Sequence, residues 1–498
     1  MKKIYFSCIA LLLANVVTAQ GTVEALRYSQ VYHSGTARFS AMGGAFAALG
    51  GDATTLTYNP AGLGVYRSGE FTFTPHLLRT HNKASYMGNS LTDDKYKFGL
   101  SNLAGISTFQ IGDNNDVLRF LNFGISYNKT NHFSESSLLQ GGLSDVGIVE
   151  YFKTNADGID PRNLKDGNAE AWLAYQTYGI DYDTATGDYF VPLNNGDQTY
   201  DEQRSFTKGM MGEWAFSIGC NFSDILYLGV TMGVMSINYE QQTTLSEHAS
   251  INNTSDFEKL EYTRKYSQSG SGYNFKFGVL CTPLINADFG NGLRIGAAIH
   301  TPTFLAMRDT YDADMKTWFL PAESYKESLP TYENEYAIET PTKYMAGLAY
   351  VFQGNGVWRG ILSADYEYVD YSQMKLREKT NYPIDYVLDV NRDITRNFRS
   401  TSNLRLGSEL GYKQVSMRAG YARYANPYAS SVSKDGSVQM FSAGLGFNLK
   451  YNTRLDLAYT LALQEDKSYL YYNGIINSPE VKYNIAQHNI LLTLLWRF

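Results

Sequence analysis

The sequence predicts an all-β transmembrane barrel of about 14 antiparallel strands, plugged by an N-terminal hatch. Three observations predict it. After Tyr66 the chain reads as segments of alternating apolar and polar residues, many of them about ten residues long or longer. That is the span of a tilted membrane strand, whereas strands of soluble domains average about five or six residues. The connections alternate between tight turns and long loops, the pattern of barrels with short periplasmic turns and long external loops. Finally, Ile490, Leu492, Leu494, Trp496 and Phe498 share one face of the closing segment, and an aromatic is the last residue.

The first nineteen residues read as a signal peptide. Lys2 and Lys3 precede an apolar run from Ile4 to Val17, and Val17-Thr18-Ala19 supplies a small-residue cleavage site. Cys8 lies within the apolar run, so no lipoprotein is read, and the mature chain starts near Gln20. No later run of 18 apolar residues offers a transmembrane helix. The formal charge of −7 argues against nucleic acid as a partner. Cys220 and Cys281, left after cleavage, are too few for a disulfide framework. Forty tyrosines suit the aromatic belts at membrane interfaces.

The hatch is read over residues 20–68, and its centre runs from Ala37 to Gly64. Ala and Gly occupy nine of the thirteen positions from Ala41 to Ala53, so helical pieces there are thin and closely packable. Asp52 is placed to cap the next turn through its side chain. Pro60 forces Asn59 out of the helical region and breaks the segment at Asn59-Pro60-Ala61. Gly43, Gly44, Gly50, Gly51, Gly62 and Gly64 predict little side-chain anchoring and cheap backbone rearrangement, as in a gate. Arg38 and Asp52 are expected to lock the hatch to inward residues such as Arg405 and Glu409. The glycines do not form a nucleotide loop, because neither G-x-G-x-x-G nor the phosphate-loop spacing occurs.

The barrel is read over residues 69–498. Strands are expected near 69–80, 96–111, 117–132, 212–223, 225–243, 258–283, 292–313, 334–352, 357–375, 401–413, 415–424, 438–450, 453–472 and 482–498. Segment 258–283 is read as one long bulged strand through Gly270-Ser271-Gly272. Ser223-Asp224, Gln353 to Gly356, Lys413-Gln414 and Asn452 read as tight turns. The large insertion at 133–211, with more acids than bases, reads as an extracellular element over the barrel mouth. Ala169 to Tyr175 is expected to form a short helix there, with Trp172 as an apolar anchor.

The motif ARFSAMGGAFAALGGD…NPAGL, an aromatic-rich strand after it and a close on Trp-Arg-Phe resemble the FadL/TodX family of outer-membrane transport proteins for hydrophobic compounds. The sharpest part is the Asn59-Pro60-Ala61 turn, with Arg38, Gly43, Ala45 and Asp52 at family-like positions. The resemblance implies a Gram-negative outer membrane and passive uptake of a long-chain fatty acid or aromatic hydrocarbon. It also implies binding against the hatch, hatch rearrangement and lateral release at a kink in the third strand, here Asn122 to Tyr127 with Gly124 as the bend. The hydrophobic ligand and outer-membrane lipids are then the partners. The barrel-assembly machinery is another, reading Trp496 and Phe498 as its signal, and a monomer is expected. The alternative within the same resemblance is a protein-secretion shuttle component or a haem or other ligand receptor.

No cofactor, metal or catalytic site is read. Seven histidines are scattered without an H-x-x-x-H pair, and His76 or His132 is the candidate for a haem ligand. Asp181 to Asp188 resembles a fragment of a calcium loop but has Pro192 where the bidentate Glu belongs, so a hairpin turning at Thr186-Gly187 is expected. No G-x-S-x-G element supports a hydrolase. An open porin is the remaining rival, and it requires an unobstructed lumen.

Overall fold

The computed structural model describes residues 21–113, 116–286, 291–354, 357–377, 384–433 and 436–498. Residues 1–19, read as the signal segment, and half of the 353–356 turn lie outside them. Ahead of the strands, residues 21–29 form helix α1, Ala37–Ala41 the single turn α2, and Ala53–Leu56 and Pro60–Val65 two 3-10 segments.

Side chains alternate between the two faces of a strand, so one sheet presents apolar groups to lipid and polar groups to a lumen. Closing it leaves no unpaired edge in hydrocarbon. The wall begins with β1 (Glu70–Tyr86), β2 (Asn89–Gln110) and β3 (Leu118–His132). The insertion holds the short strands β4 (Glu135–Gln140), β5 (Asp181–Asp183) and β6 (Asp188–Phe190), and the wall resumes with β7 (Thr199–Phe222), β8 (Leu226–Ala249) and β9 (Phe257–Asn286). The next three wall strands are each made of two pieces. These are β10 (Asn291–His300) with β11 (Phe304–Phe319), on whose tip β12 (Glu323–Ser328) folds back, then β13 (Tyr332–Glu339) with β14 (Lys343–Gly354), and β15 (Trp358–Asp370) with β16 (Lys375–Arg377). β17 (Ser400–Tyr412), β18 (Val415–Tyr424), β19 (Val438–Asn448), β20 (Thr453–Ser468) and β21 (Val481–Arg497) complete it. β21 pairs with β1, from Glu70 opposite Arg497 to Ser85 opposite Lys482, and the result is a closed antiparallel barrel of 14 wall strands.

β9 is a single strand, since Gly270 and Gly272 sit inside its ladders with both β8 and β11. The two-piece strands break at the same level, at Thr301-Pro302-Thr303, Thr340-Pro341-Thr342 and Tyr371 to Met374. Proline has no N–H to give a ladder, which accounts for the first two breaks. At the tight turns, Ser223 and Asp224 have φ of 54° and 61°, and Tyr451 and Asn452 59° and 56°. Two consecutive positive φ values match the right-handed twist of a hairpin.

The insertion folds over one end of the barrel. β4 pairs with β7, and α3 (Ile148–Ala156), α4 (Leu164–Gly167) and α5 (Ala169–Gln176) follow. Asn168 caps α5 by accepting from the Ala171 N–H at 2.9 Å. Ile148, Phe152, Leu173 and Ala174 are buried with Tyr262 and Met315 of the wall strands, so the cap has an apolar core of its own. Trp172 is only partly buried, with the Lys165 ammonium 4.2 Å from its ring centroid. β5 and β6 pair as a hairpin that turns with Gly187 at φ 81°. A further helix, α6 (Ile384–Asn397), buries Val387, Val390 and Ile394 against α1 and its surroundings.

Candidate functional site: a filled lumen with two chambers

Residues 36–66 lie inside the barrel and are tied to strands all around it. The Ala37 N–H donates to Thr493 of β21 at 2.7 Å, and Gly43 N–H to Ser442 of β19 at 3.2 Å. Ala47 N–H donates to Asp365 of β15 at 2.8 Å, and Arg294 of β10 donates to the Leu49 carbonyl at 2.7 Å. Thr231 of β8 donates to the Leu56 carbonyl at 2.7 Å, and Asn122 of β3 to the Leu63 carbonyl at 2.7 Å.

The charged residue Arg38 is the centre of the strongest tie. Its guanidinium donates to Glu409 at 2.8 Å, Glu409 also accepts from Arg418 at 2.7 Å, and Arg418 donates to Asp456 at 2.8 Å. The Arg418 side chain is fully buried. Asp52 acts within the segment. It accepts from the Thr36 hydroxyl at 2.8 Å and from the Thr54 N–H at 2.9 Å, which caps Ala53–Leu56 and holds the start of α2 beside it. Arg405 is engaged elsewhere, with Glu367 at 2.9 Å and the Tyr58 hydroxyl at 2.8 Å. Asn59 caps Pro60–Val65 by accepting from Ala61 N–H at 3.1 Å, and its amide donates to the Ala47 carbonyl at 2.5 Å. Ala45 and Ala61 are fully buried.

The glycines do not leave the segment weakly anchored. Gly43 has φ 63°, and a Cβ there would stand 2.8 Å from the Leu406 carbonyl and 2.9 Å from the Tyr421 nitrogen. The glycine serves close approach of one backbone to another, and the freed space is filled by hydrogen bonds to the wall.

The expected bend at Asn122 and Gly124 is also absent. Asn122 lies opposite Thr108 on one side and Gly219 on the other, and Gly124 opposite Ile106 and Ser217, so both ladders run through. Both residues instead receive the plug: Asn122 by the bond to Leu63, Gly124 because a Cβ would stand 2.5 Å from Leu56. Pairing lapses farther along. The β2–β3 ladder ends at Asn102 opposite Asn128, and β3 carries a register shift at Lys129/Asn131. Beyond it residues 89–101 of β2 are laddered to β1 alone among the described residues. Side chains span this interval, with Lys95 donating to the Thr207 carbonyl at 2.8 Å and Lys97 to the Gly209 carbonyl at 2.9 Å.

Two chambers remain beside residues 28–34. One has a cavity volume of about 100 Å³ and is lined by the charged groups Glu213, Lys276, Lys343, Glu367 and Arg405 among other residues. The other, with about 80 Å³, lies against Leu78, Thr130 to His132 and Gln487, and none of its lining residues carries a formal charge. Both also carry apolar lining, Met211, Met235 and Leu305 in the first and Leu78, Val438, Met440 and Ile485 in the second. Other inward apolar residues, such as Met307 and Ile338, are covered by Ala25, Leu26 and Tyr28 of α1 and by α6. His33 stands on the partition. Burial, with Arg405 nearby, pushes its imidazole down to about 3, so it is neutral.

His76 and His132, far apart in sequence, have ring centroids 4.6 Å apart. The Lys129 ammonium lies 3.3 Å from His76 Nε2, so the nitrogen that would ligate a metal faces a cation. Trp496 and Phe498 stand on the outer face, 51% and 61% exposed, with ring centroids 5.2 Å apart. The sequence reading missed Asp365, Ser442, Thr493 and Arg418 as anchors. Their only signal is that each is a polar residue at an inward position of an otherwise apolar strand.

No protein-family model matches the chain, and no curated protein does. Solved structures do. A FadL homologue of Pseudomonas aeruginosa aligns with a TM-score of 0.55 at 13% identity, over 94% of this chain and 99% of that one. The toluene transporter TodX of Pseudomonas putida aligns with a TM-score of 0.51 at 12% identity, over 94% and 99%. A TodX deletion mutant described as a monoaromatic hydrocarbon channel aligns with a TM-score of 0.52 at 11% identity, over 94% and 100%. The chain has the fold of the FadL/TodX barrels.

Proposed function

We propose that this protein is an outer-membrane channel for passive uptake of hydrophobic small molecules in a Gram-negative cell. The observation that carries the reading is a lumen filled by the chain's own N-terminal segment that still keeps two chambers where wall pairing lapses. A porin has no use for such a filling. The solved neighbours named as toluene or aromatic hydrocarbon transporters support the same reading. A poorly soluble ligand gains about 0.8 kcal/mol for each CH₂ taken from water, and lateral release between β2 and β3 spares it a return to water. The exposed Trp496 and Phe498 suit a signal to the assembly machinery, residues 1–19 a signal for export, and the barrel acts as a monomer.

The moving part is residues 21–34, of which Tyr32 to Ser34 border both chambers, while 36–66 stay in place as the stopper. Two reducible tethers test this. A Cβ at Gly21 would lie 3.0 Å from Val390 of α6, and one at Gly278 would lie 1.9 Å from Asn59 Oδ1, so G21C/V390C and N59C/G278C are within bridging reach. The first disulfide stops uptake of labelled toluene or dodecanoate into cells and reduction restores it; the second leaves uptake unchanged. Uptake that survives the first tether, or that the second abolishes, refutes this division of labour. A large steady small-ion conductance of the wild-type protein in planar bilayers refutes the channel reading in favour of a porin.

A further inference from the structure

The uncharged chamber carries a pattern of unmet hydrogen bonds. Three buried polar atoms of its lining have no partner among the described residues: His33 Nε2, Ser40 Oγ and His132 Nδ1. The network settles what His33 offers. The Tyr424 hydroxyl accepts from the His33 backbone N–H at 2.8 Å and from Arg405 Nε at 3.4 Å, so its own proton goes to His33 Nδ1 at 2.9 Å. The ring proton then sits on Nε2, a donor without an acceptor. Gln464 and Gln487, half-buried in the same lining, make no side-chain hydrogen bond among the described residues. Donors and acceptors are thus both on offer, and no ionised group is.

Each of those features constrains the occupant. Burying an unpaired donor is unfavourable, so the chamber is built to hold something that pairs with it. No lysine or arginine stands among the lining residues to meet a carboxylate: Arg405 is held by Glu367, and Lys129, 3.3 Å from His76, lies outside the lining. The cap above, with more acids than bases, also discourages anions. A bare hydrocarbon would leave every free polar atom unpaired. About 80 Å³ of the chamber is reachable by the centre of a water molecule, several times the ~10–15 Å³ one water needs, which suits a head group of a few heavy atoms.

We propose that this chamber seats the neutral, hydrogen-bonding head group of the transported molecule. The ligand is then an uncharged amphiphile such as a long-chain alcohol, ester or amide. This rests on the uptake reading above and narrows its substrate class.

Binding of radiolabelled 1-dodecanol, dodecanoate and dodecane to the full-length barrel in nanodiscs, less that of empty nanodiscs, tests it. Dodecanol binds at least about tenfold more tightly than either of the others. Gln487→Leu weakens dodecanol about tenfold and leaves dodecane unchanged; Gln464→Leu does the same and serves where the first variant fails to insert. Dodecanol binding no tighter than dodecane, or indifferent to both substitutions, overturns the proposal and leaves a chamber that holds water only. Dodecanoate binding tightest also overturns it while sustaining the uptake reading. If none of the three binds, the uptake reading falls and this inference with it.

Discussion

The two halves of the N-terminal segment occupy one lumen and are held there by different forces. Residues 36–66 are pinned by hydrogen bonds and ion pairs to strands on every side, with Arg38, Glu409, Arg418 and Asp456 as a buried chain of alternating charge. Residues 21–29 are held chiefly by apolar packing of Ala25, Leu26 and Tyr28 against wall residues and α6, with Arg27 and Tyr28 both donating to Gln268, while residues 30–34 are hydrogen-bonded to Asn131, Asn128 and Tyr424. Directional bonds distributed around a ring fix a position, because moving one end breaks several at once. Non-directional packing on one side lets a helix slide or lift away. The glycine-rich segment is therefore expected to be the stationary half, and helix α1 the one that moves.

The largest effect that sharpens this contrast comes from removing the stationary half. Deleting Ala37 to Gly64 is expected to open the lumen, giving a large steady conductance in planar bilayers and sensitivity to small polar antibiotics. Removing residues 21–29 alone is expected to leave the barrel closed to ions. If the two deletions conduct alike, the division into stopper and moving part is wrong.

Next is the charge chain. Arg418→Leu leaves Glu409 to Arg38 and Asp456 to Arg454, and breaking a buried ion pair costs up to about 3–5 kcal/mol. The variant is expected to lose heat-resistant migration at a clearly lower temperature than wild type. Equal melting of wild type and Arg418→Leu would show that the chain carries no stability.

The smallest effect is one of pH, and it falls on the mobile half. Glu24 of α1 is raised from 4.5 to about 7, mainly by burial, against the opposing charge of Arg27 3.8 Å away. A carboxyl whose folded value is raised contributes stability that is present below its unfolded value, 4.5, and lost as the pH rises through about 7. Hydrogen exchange of residues 21–29, corrected for intrinsic rates, is expected to quicken across that interval. Residues 53–65 are the internal reference and should not change. Exchange that quickens in both, or in neither, removes Glu24 as the cause.

Much of the wall was legible without coordinates. Alternation with a period of two, the turns at Ser223-Asp224 and Asn452, the long strand through Gly270 and the aromatic close at Phe498 are properties of neighbours in sequence. So is the cap at Asp52, which acts two residues away on Thr54. These follow from steric preferences and local hydrogen bonds, which a residue carries wherever the chain goes.

What reaches across the barrel was not legible. Arg38 had several acids to choose from, and only the stagger of β17 sets Glu409 beside it rather than Asp52 beside Arg405. Asn122 and Gly124 look like a bend in isolation, yet they stay in register because plug residues Leu63 and Leu56 seat on them. Of the inward apolar side chains, Met307 and Ile338 are packed under α1 and α6 while Met235 and Leu305 also line a chamber, a division that alternation along the strands does not reveal. Which side chains meet inside a closed barrel depends on how far each strand is shifted against the next and on what fills the middle. Neither quantity is a property of any short stretch of chain, and so the tertiary structure alone decided them.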